Sequence, residues 1–351
     1  AEGFLKKFGG APANTAAGLA KLGIPANYIC KVGADPFGEF LKNGLKTYGV
    51  NISGVVTSPT GTTTLAFVSL TESGERDFFF IRGVHDKITP DEVELPKNTS
   101  IFHFGSLTQT SSMGLKATAK LIRQAAKQPA ILSYDPNIRE FLWGDLKLAK
   151  LVVLDTLKKI NNLKVNEEEA GLLSGETNPA KAAAKLFRDN LDILIITLAG
   201  KGCYYRTSKF SGYIPTIKIK VVDTTGAGDA FNAGFLAGLY QHNKRASKLQ
   251  KTELEKILKQ AVIIGSLTTT KKGAVSTFPS RRQLGRAAAV HDRRRRTLER
   301  INRRLGAAHQ LRARVVAKAA RQPVQRPAAV GRHHAGADLV GDGVALADIV
   351  I

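Results

Sequence analysis

Asp223-Thr224-Thr225-Gly226-Ala227-Gly228-Asp229-Ala230-Phe231 is the stretch on which the reading of this 351-residue chain turns. Before it, Lys218 to Val222 alternates charged and branched residues as the end of a strand does. After it, Phe231, Phe235, Leu236 and Leu239 recur at helical spacing. The order strand, glycine turn, helix puts Gly226, Ala227 and Gly228 at a helix N-terminus. Backbone N–H groups there have no partner inside the helix, and the helix dipole adds partial positive charge, so the turn suits an anion. A carboxylate in that first turn would repel a resident phosphate, which leaves Asp229 a different task. Beside an anion hole it can take the proton of an attacking hydroxyl while the amides balance charge on a moving phosphoryl group. Read alone, the same residues equally fit a plain helix start whose glycines only shape the turn.

A second motif lies near the other end: Phe8-Gly9-Gly10-Ala11-Pro12-Ala13-Asn14-Thr15-Ala16, continued by Gly18-Leu19-Ala20-Lys21-Leu22-Gly23. Together the two resemble the C-terminal and N-terminal signatures of the ribokinase-like (pfkB) carbohydrate kinases, the second in the form typical of plant fructokinases. The resemblance runs from residue 8 to residue 279. It implies an α/β fold, with a largely parallel sheet flanked by helices and a small β lid. It also implies ATP-dependent phosphorylation of a sugar hydroxymethyl group, with fructose as the leading acceptor. Asp229 is then the base, and the amides of Gly226, Ala227 and Gly228 stabilise the phosphoryl group. A non-catalytic kinase-like protein or a truncated gene product is the rival.

Read in chain order, Gly9 and Gly10 allow a backbone to approach a ligand closely, and the family implies that Asn14 hydrogen-bonds the sugar; the alternative is a glycine turn with a capping Asn. Relatives carry a further strand before this motif, ending in an acidic residue that binds sugar hydroxyls. It is not found in residues 1 to 7, and its loss would leave neighbouring strands with unpaired N–H and C=O groups. Runs at Thr62 to Leu70 and Asp77 to Arg82, separated by a polar turn, read as a hairpin. By resemblance this is the lid over the sugar and a surface for homodimers, with Arg82 reaching the substrate. Alternating short apolar strands and helices from residue 101 onward signal parallel strands with crossover helices. Asp135-Pro136-Asn137-Ile138-Arg139 follows one of those strands, where open α/β sheets bind ligands, and Arg139 is a candidate for substrate or phosphate.

Asn166-Glu167-Glu168-Glu169 matches the family's N-x-x-E motif, in which Asn166 and Glu169 organise Mg2+ and the phosphates, largely through water. Taken alone, three glutamates opening a helix complement its dipole. Thr197-Leu198-Ala199-Gly200-Lys201-Gly202 resembles a nucleotide-binding T-x-G-x-x-G turn, with Thr197, Gly200 and Gly202 as its contacts. Asp223 and the carbonyl of Thr225, with backbone near Gly273, correspond to a loop for a monovalent cation such as K+. The helix from Leu254 to Leu267 and the segment Thr270 to Ala274 resemble the adenine end, with Val262 where relatives often have Asn.

Composition sets the frame. No apolar run reaches membrane-spanning length. Cys30 and Cys203, far apart and without metal spacing, fit a reducing compartment such as the cytoplasm or a plastid stroma. The net charge of +23 divides unevenly: residues 1 to 280 carry 29 Lys and 7 Arg against 24 acids, and residues 281 to 351 carry 15 Arg and 1 Lys against 5. The change of basic residue near 280 marks a kinase domain over 1–280 and a basic tail over 281–351. No packing argument explains that switch, so the tail reads as foreign to the fold. No aromatic residue lies after Phe278, so base stacking is not available and any binding of nucleic acid by the tail is non-specific. From Arg321 onward Pro, Gly and Ala dominate, an expectation of disorder.

Overall fold

The computed structural model describes residues 5–70, 76–279, 283 and 348–350. The tip of the lid hairpin and the arginine-rich run of the tail lie outside the described residues. Chain order begins with β1 (Leu5–Lys7), α1 (Ala11–Lys21), β2 (Asn27–Gly33), α2 (Pro36–Thr47) and β3 (Asn51–Ser58). The hairpin follows as β4 (Leu65–Leu70) and β5 (Arg76–Ile81), antiparallel with Leu65 opposite Ile81. Then come β6 (Ile101–Phe104), α3 (Ser112–Ala126), β7 (Ile131–Tyr134), α4 (Glu140–Trp143), α5 (Leu146–Leu157), β8 (Asn162–Asn166), α6 (Glu167–Ser174) and α7 (Pro179–Leu186). The remainder is β9 (Ile193–Thr197), β10 (Cys203–Arg206), β11 (Ser211–Ile214), α8 (Ala227–His242), α9 (Lys251–Thr268) and β12 (Asp348–Val350).

The main sheet has the order β11-β10-β9-β8-β7-β6. From β6 to β9 its strands are parallel, and β10 and β11 turn back antiparallel. The alternation of β9 explains its layers. Leu194 and Ile196 join a cluster with Leu121 of α3, Val153 of α5 and Leu186 of α7, while Ile193 and Ile195 join one with Phe235 of α8 and Ile257 of α9. With helices on both faces the strand must be apolar throughout, which is why Ile193-Leu194-Ile195-Ile196 carries no polar residue. Burying each such side chain is worth about 1.5–3 kcal/mol.

The small sheet is ordered β1-β12-β4-β5, with residues 348–350 of the tail lying parallel to β1 and antiparallel to β4. β2 and β3 form a separate parallel pair. Among the described residues β2 has no partner on its other side and β6 ends the main sheet, and both strands line one cavity.

One sequence expectation is corrected here. Lys218 to Val222 is not a strand: among the described residues it pairs with no other strand. The amides of Val222 and Asp223 both donate instead to the Thr269 carbonyl, at 2.7 and 3.1 Å.

Candidate active site

α8 begins at the glycine turn, with Gly226 as its N-cap at φ 76°. A Cβ at Gly226 would meet the Ala274 side chain at 2.9 Å, so both conformation and space require glycine. The Ala227 amide donates to the Thr224 carbonyl at 3.2 Å and the Ala230 amide to Gly226 at 2.8 Å. Ala227 is therefore committed to the turn, and the amides of Gly226 and Gly228 remain to meet an anion. That narrows the hole expected from sequence, because closing the turn consumes one N–H. Asp229 is buried in the first turn of α8 and lines a cavity of about 1740 Å³, the same one that β2 and β6 border.

α1 packs on α8 through small residues: Ala13, Ala16 and Ala17 meet Ala230, Ala233 and Ala237, and a Cβ on Gly18 would stand 2.8 Å from that of Ala233. This close approach brings Asn14 to the carboxylate, where its Nδ2 donates to Asp229 Oδ2 at 2.8 Å. Asn14 is 4% exposed and its Oδ1 has no partner within the protein. Asn14 thus holds one oxygen of Asp229 and leaves Oδ1 for chemistry. Burial pushes the Asp229 carboxyl up to about 6, opposed by the Asn14 hydrogen bond and by the cations Lys164 and Arg139. A base poised near neutrality is effective, because it is ionised in useful amount and still attracts a proton.

Most of the other sequence candidates gather round the same cavity. Gly9, Gly10, Arg139, Asn166, Thr197, Gly200, Gly202 and Thr225 line it, with Val262. Three candidates are placed differently. Arg82 does not line the cavity: its guanidinium donates to the Leu142 carbonyl and lies 3.8 Å from Asp86, tying the lid hairpin to α4. An arginine at a strand end reaches whichever acceptors the neighbouring loop offers, here a carbonyl. Asp223 is turned into its own loop, where Oδ1 accepts from the Thr225 amide at 2.8 Å and hydroxyl at 2.7 Å, and Oδ2 from the Gly273 amide at 2.9 Å. It joins the three segments named for the cation loop by direct hydrogen bonds.

Glu169 is buried, and its oxygens accept from the Asn166 and Ile138 amides at 2.9 and 2.7 Å, while Asn166 Oδ1 accepts from the Glu169 amide at 2.7 Å. The pair forms a capping box on α6 and also fixes the loop that carries Arg139. Burial, and then the nearby Asp135, raise the Glu169 carboxyl above its ordinary value. Among the described residues no three acidic, His or Cys side chains converge as a metal cage. That donor set fits a magnesium ion carried by nucleotide phosphates and keeping most of its water.

The turn after β9 settles its own register. Ala199 has φ 45° and Gly202 φ 103°, so the two positions that call for glycine are 199 and 202, and Gly200 is unconstrained. Sequence reading missed an ion pair under the site. Lys164 Nζ lies 2.9 Å from Asp135 Oδ2, which also accepts from Asn232 Nδ2 at 2.7 Å. Burial alone would lower the Lys164 ammonium, but Asp135 and Glu169 hold it above its ordinary value. The available signals were a lysine inside the apolar run of β8 and an Asn one helical turn beyond Asp229. Both cysteines are free, and burial pushes their thiols up to about 12, so they are inert packing residues. Among the described residues no helix is long and apolar enough to cross a membrane.

The model of the pfkB family of carbohydrate kinases matches residues 1–281. Fructokinase-1 of Zea mays is 38% identical over 286 residues, covering 80% of this chain and 88% of the maize protein. A fructokinase from Xylella fastidiosa, solved with bound ATP, superposes with a TM-score of 0.75 at 29% identity, over 81% of this chain and 91% of that one. A double mutant of a Vibrio cholerae fructokinase, solved with fructose, ADP and a potassium ion, gives 0.73 at 25% identity, over 79% and 89%.

Proposed function

The chain belongs to the pfkB family of carbohydrate kinases and is an ATP-dependent sugar kinase, and from that premise we propose that fructose is its acceptor and Asp229 its general base. The observation that carries the reading is the buried carboxylate of Asp229, oriented by Asn14 and seated one residue beyond the amide turn in the large cavity. The acceptor hydroxyl gives its proton to Asp229 Oδ1. Its oxygen bonds to the γ-phosphorus as the bond from phosphorus to the bridging oxygen breaks, and ADP leaves. The amides of Gly226 and Gly228 meet the charge on the transferring group, and Arg139, which borders the same cavity, supplies a cation.

Thr197, Gly200, Gly202 and Val262 line the cavity, and in this reading the first three would border the nucleotide and Val262 would offer the adenine an apolar surface. Asn166 and Glu169 would hold, through water, a magnesium ion carried by the nucleotide, which would neutralise phosphate charge. Asp223, Thr225 and Gly273 keep the turn in shape, with or without a potassium ion beside them. The maize and bacterial relatives support fructose as acceptor. Leu5, Phe79 and Ile81 are exposed on the small sheet and support a homodimer formed through the lid.

Two experiments test this. ADP release across a panel of sugars should favour fructose, and a preference for ribose overturns the choice of acceptor. Asp229→Asn should lower turnover by about 10²–10⁴ while nucleotide binding persists. Unchanged turnover in that variant would falsify the base assignment.

A further inference from the structure

The mechanism above gives no part to the most deeply placed cation of the site. Lys164 stands in the middle of β8 with its side chain 11% exposed, and the carboxylate that binds it, Asp135, is 5% exposed. A buried ion pair is costly to desolvate, so its presence beside a reactive carboxylate calls for a reason beyond stability. Its position supplies one. Lys164 Nζ lies 3.1 Å from the point that a Cβ on Gly228 would occupy, so the ammonium fills the space left by the missing side chain of the anion turn. Asp135 Oδ2 fixes it at 2.9 Å and is itself held by Asn232 Nδ2 at 2.7 Å. Asn232 and Asp229 are three residues apart on α8 and share a face, so one helix presents both the base and the anchor of the cation. Asp135 Oδ1 is buried without a partner, and Asp135, Lys164 and Asn232 all border the cavity.

We propose that Lys164 is a positioning cation for phosphoryl transfer, held by Asp135 and Asn232 against the Gly228 side of the turn to balance the charge that gathers there. The site brings Asp135, Glu169 and Asp229 together and then admits a polyanionic nucleotide. With two amides of the turn available, a fixed positive charge behind them offsets what hydrogen bonds alone leave unbalanced. Lys164 keeps its protons throughout; the hydroxyl proton goes to Asp229 and the phosphoryl group to the acceptor oxygen, as above. Gly228 is then glycine because of the ammonium beneath it as well as the phosphate above it.

The proposal rests on the phosphotransfer reading, and the two can fail separately. Lys164→Met removes the charge and keeps the stem. The double variant Lys164→Met with Asp135→Asn removes the charge and also the unpaired carboxylate it would strand. Both are assayed for kcat, for KM of fructose and ATP, and for thermal midpoint, with Asp229→Asn alongside. The expected result is a kcat at least tenfold lower in both, a KM for fructose within about threefold, and a thermal midpoint that recovers in the double variant while kcat does not. Recovery of kcat to the parent value in the double variant makes the pair a structural ion pair only and overturns the proposal. So does loss of the fold in both variants, or full turnover in Lys164→Met. An active Asp229→Asn would instead bring down the base assignment, whatever Lys164 does.

Discussion

β8 and β9 on one side and β2 and β6 on the other are strands of one protein with opposite surroundings. The first two have hydrogen-bonded neighbours at both edges and helices over both faces, and Ile193 to Ile196 are at most 1% exposed. Among the described residues the second two have one neighbour each and line a shared cavity, and Ile101, Phe102 and His103 are only partly buried. Part of the candidate chemistry stands on the first region: Asp135, Asn166 and Thr197 sit at or just beyond the ends of β7, β8 and β9, and Lys164 in the middle of β8. A reacting constellation needs positions fixed to fractions of an ångström, which a doubly paired strand provides and an open seam does not.

That contrast can be broken most directly in the core. Ile195→Ala should cost about 2–5 kcal/mol in chemical denaturation, and Ile101→Ala less than half as much, because the seam already lacks the close packing that a cavity would destroy. Equal costs would mean that the two regions are equally packed. A second contrast lies within the site itself. The folded protein binds the Asp229 proton more tightly than the unfolded chain does, with a carboxyl at about 6 against an ordinary 3.8. Its contribution therefore favours the fold at acid pH and is lost as pH rises from 3.8 to about 6. Above that window the buried charge costs stability. Asp229→Asn should thus stabilise the protein at pH 7 by up to about 3 kcal/mol, a gain that vanishes below the ordinary carboxylate range. A thermal scan at the two pH values reads both the size and the sign.

The same titration should appear in catalysis, where kcat/KM of the parent protein rises with pH through about 6 as the base ionises. A profile flat from pH 5 to 8 would separate Asp229 from the proton transfer. The smallest expected effect is at the turn after β9. Ala199→Gly relieves a left-handed alanine but frees the unfolded chain, for a net gain of a few tenths to about 1 kcal/mol. A loss would show that the Ala199 side chain makes contacts that outweigh its backbone conformation.

Much of this was legible in residues. Helical spacing after Asp229 marked α8, the polar turn at 71–75 marked the hairpin, and alternating apolar strands and helices marked the parallel sheet. Lys218 to Val222 misled because alternation records what a strand would need, while pairing depends on a neighbour, and among the described residues no strand pairs with it. Arg82, Glu169 and Asp223 were legible as polar residues near the site. Their partners were not, since a carbonyl at Leu142 or an amide at Ile138 leaves no mark in side-chain pattern.

The sequence by itself determined the α/β class, the glycine turn with a carboxylate beyond it, and the uneven basic tail, because local conformation and composition are short-range properties. Only the tertiary structure decided that Asn14 holds Asp229 from 215 residues away, that Lys164 fills the space beneath Gly228, and that β2 and β6 border one cavity. Those depend on how closely packed helices and strands approach, and van der Waals contact between distant segments is fixed only once the whole chain has folded.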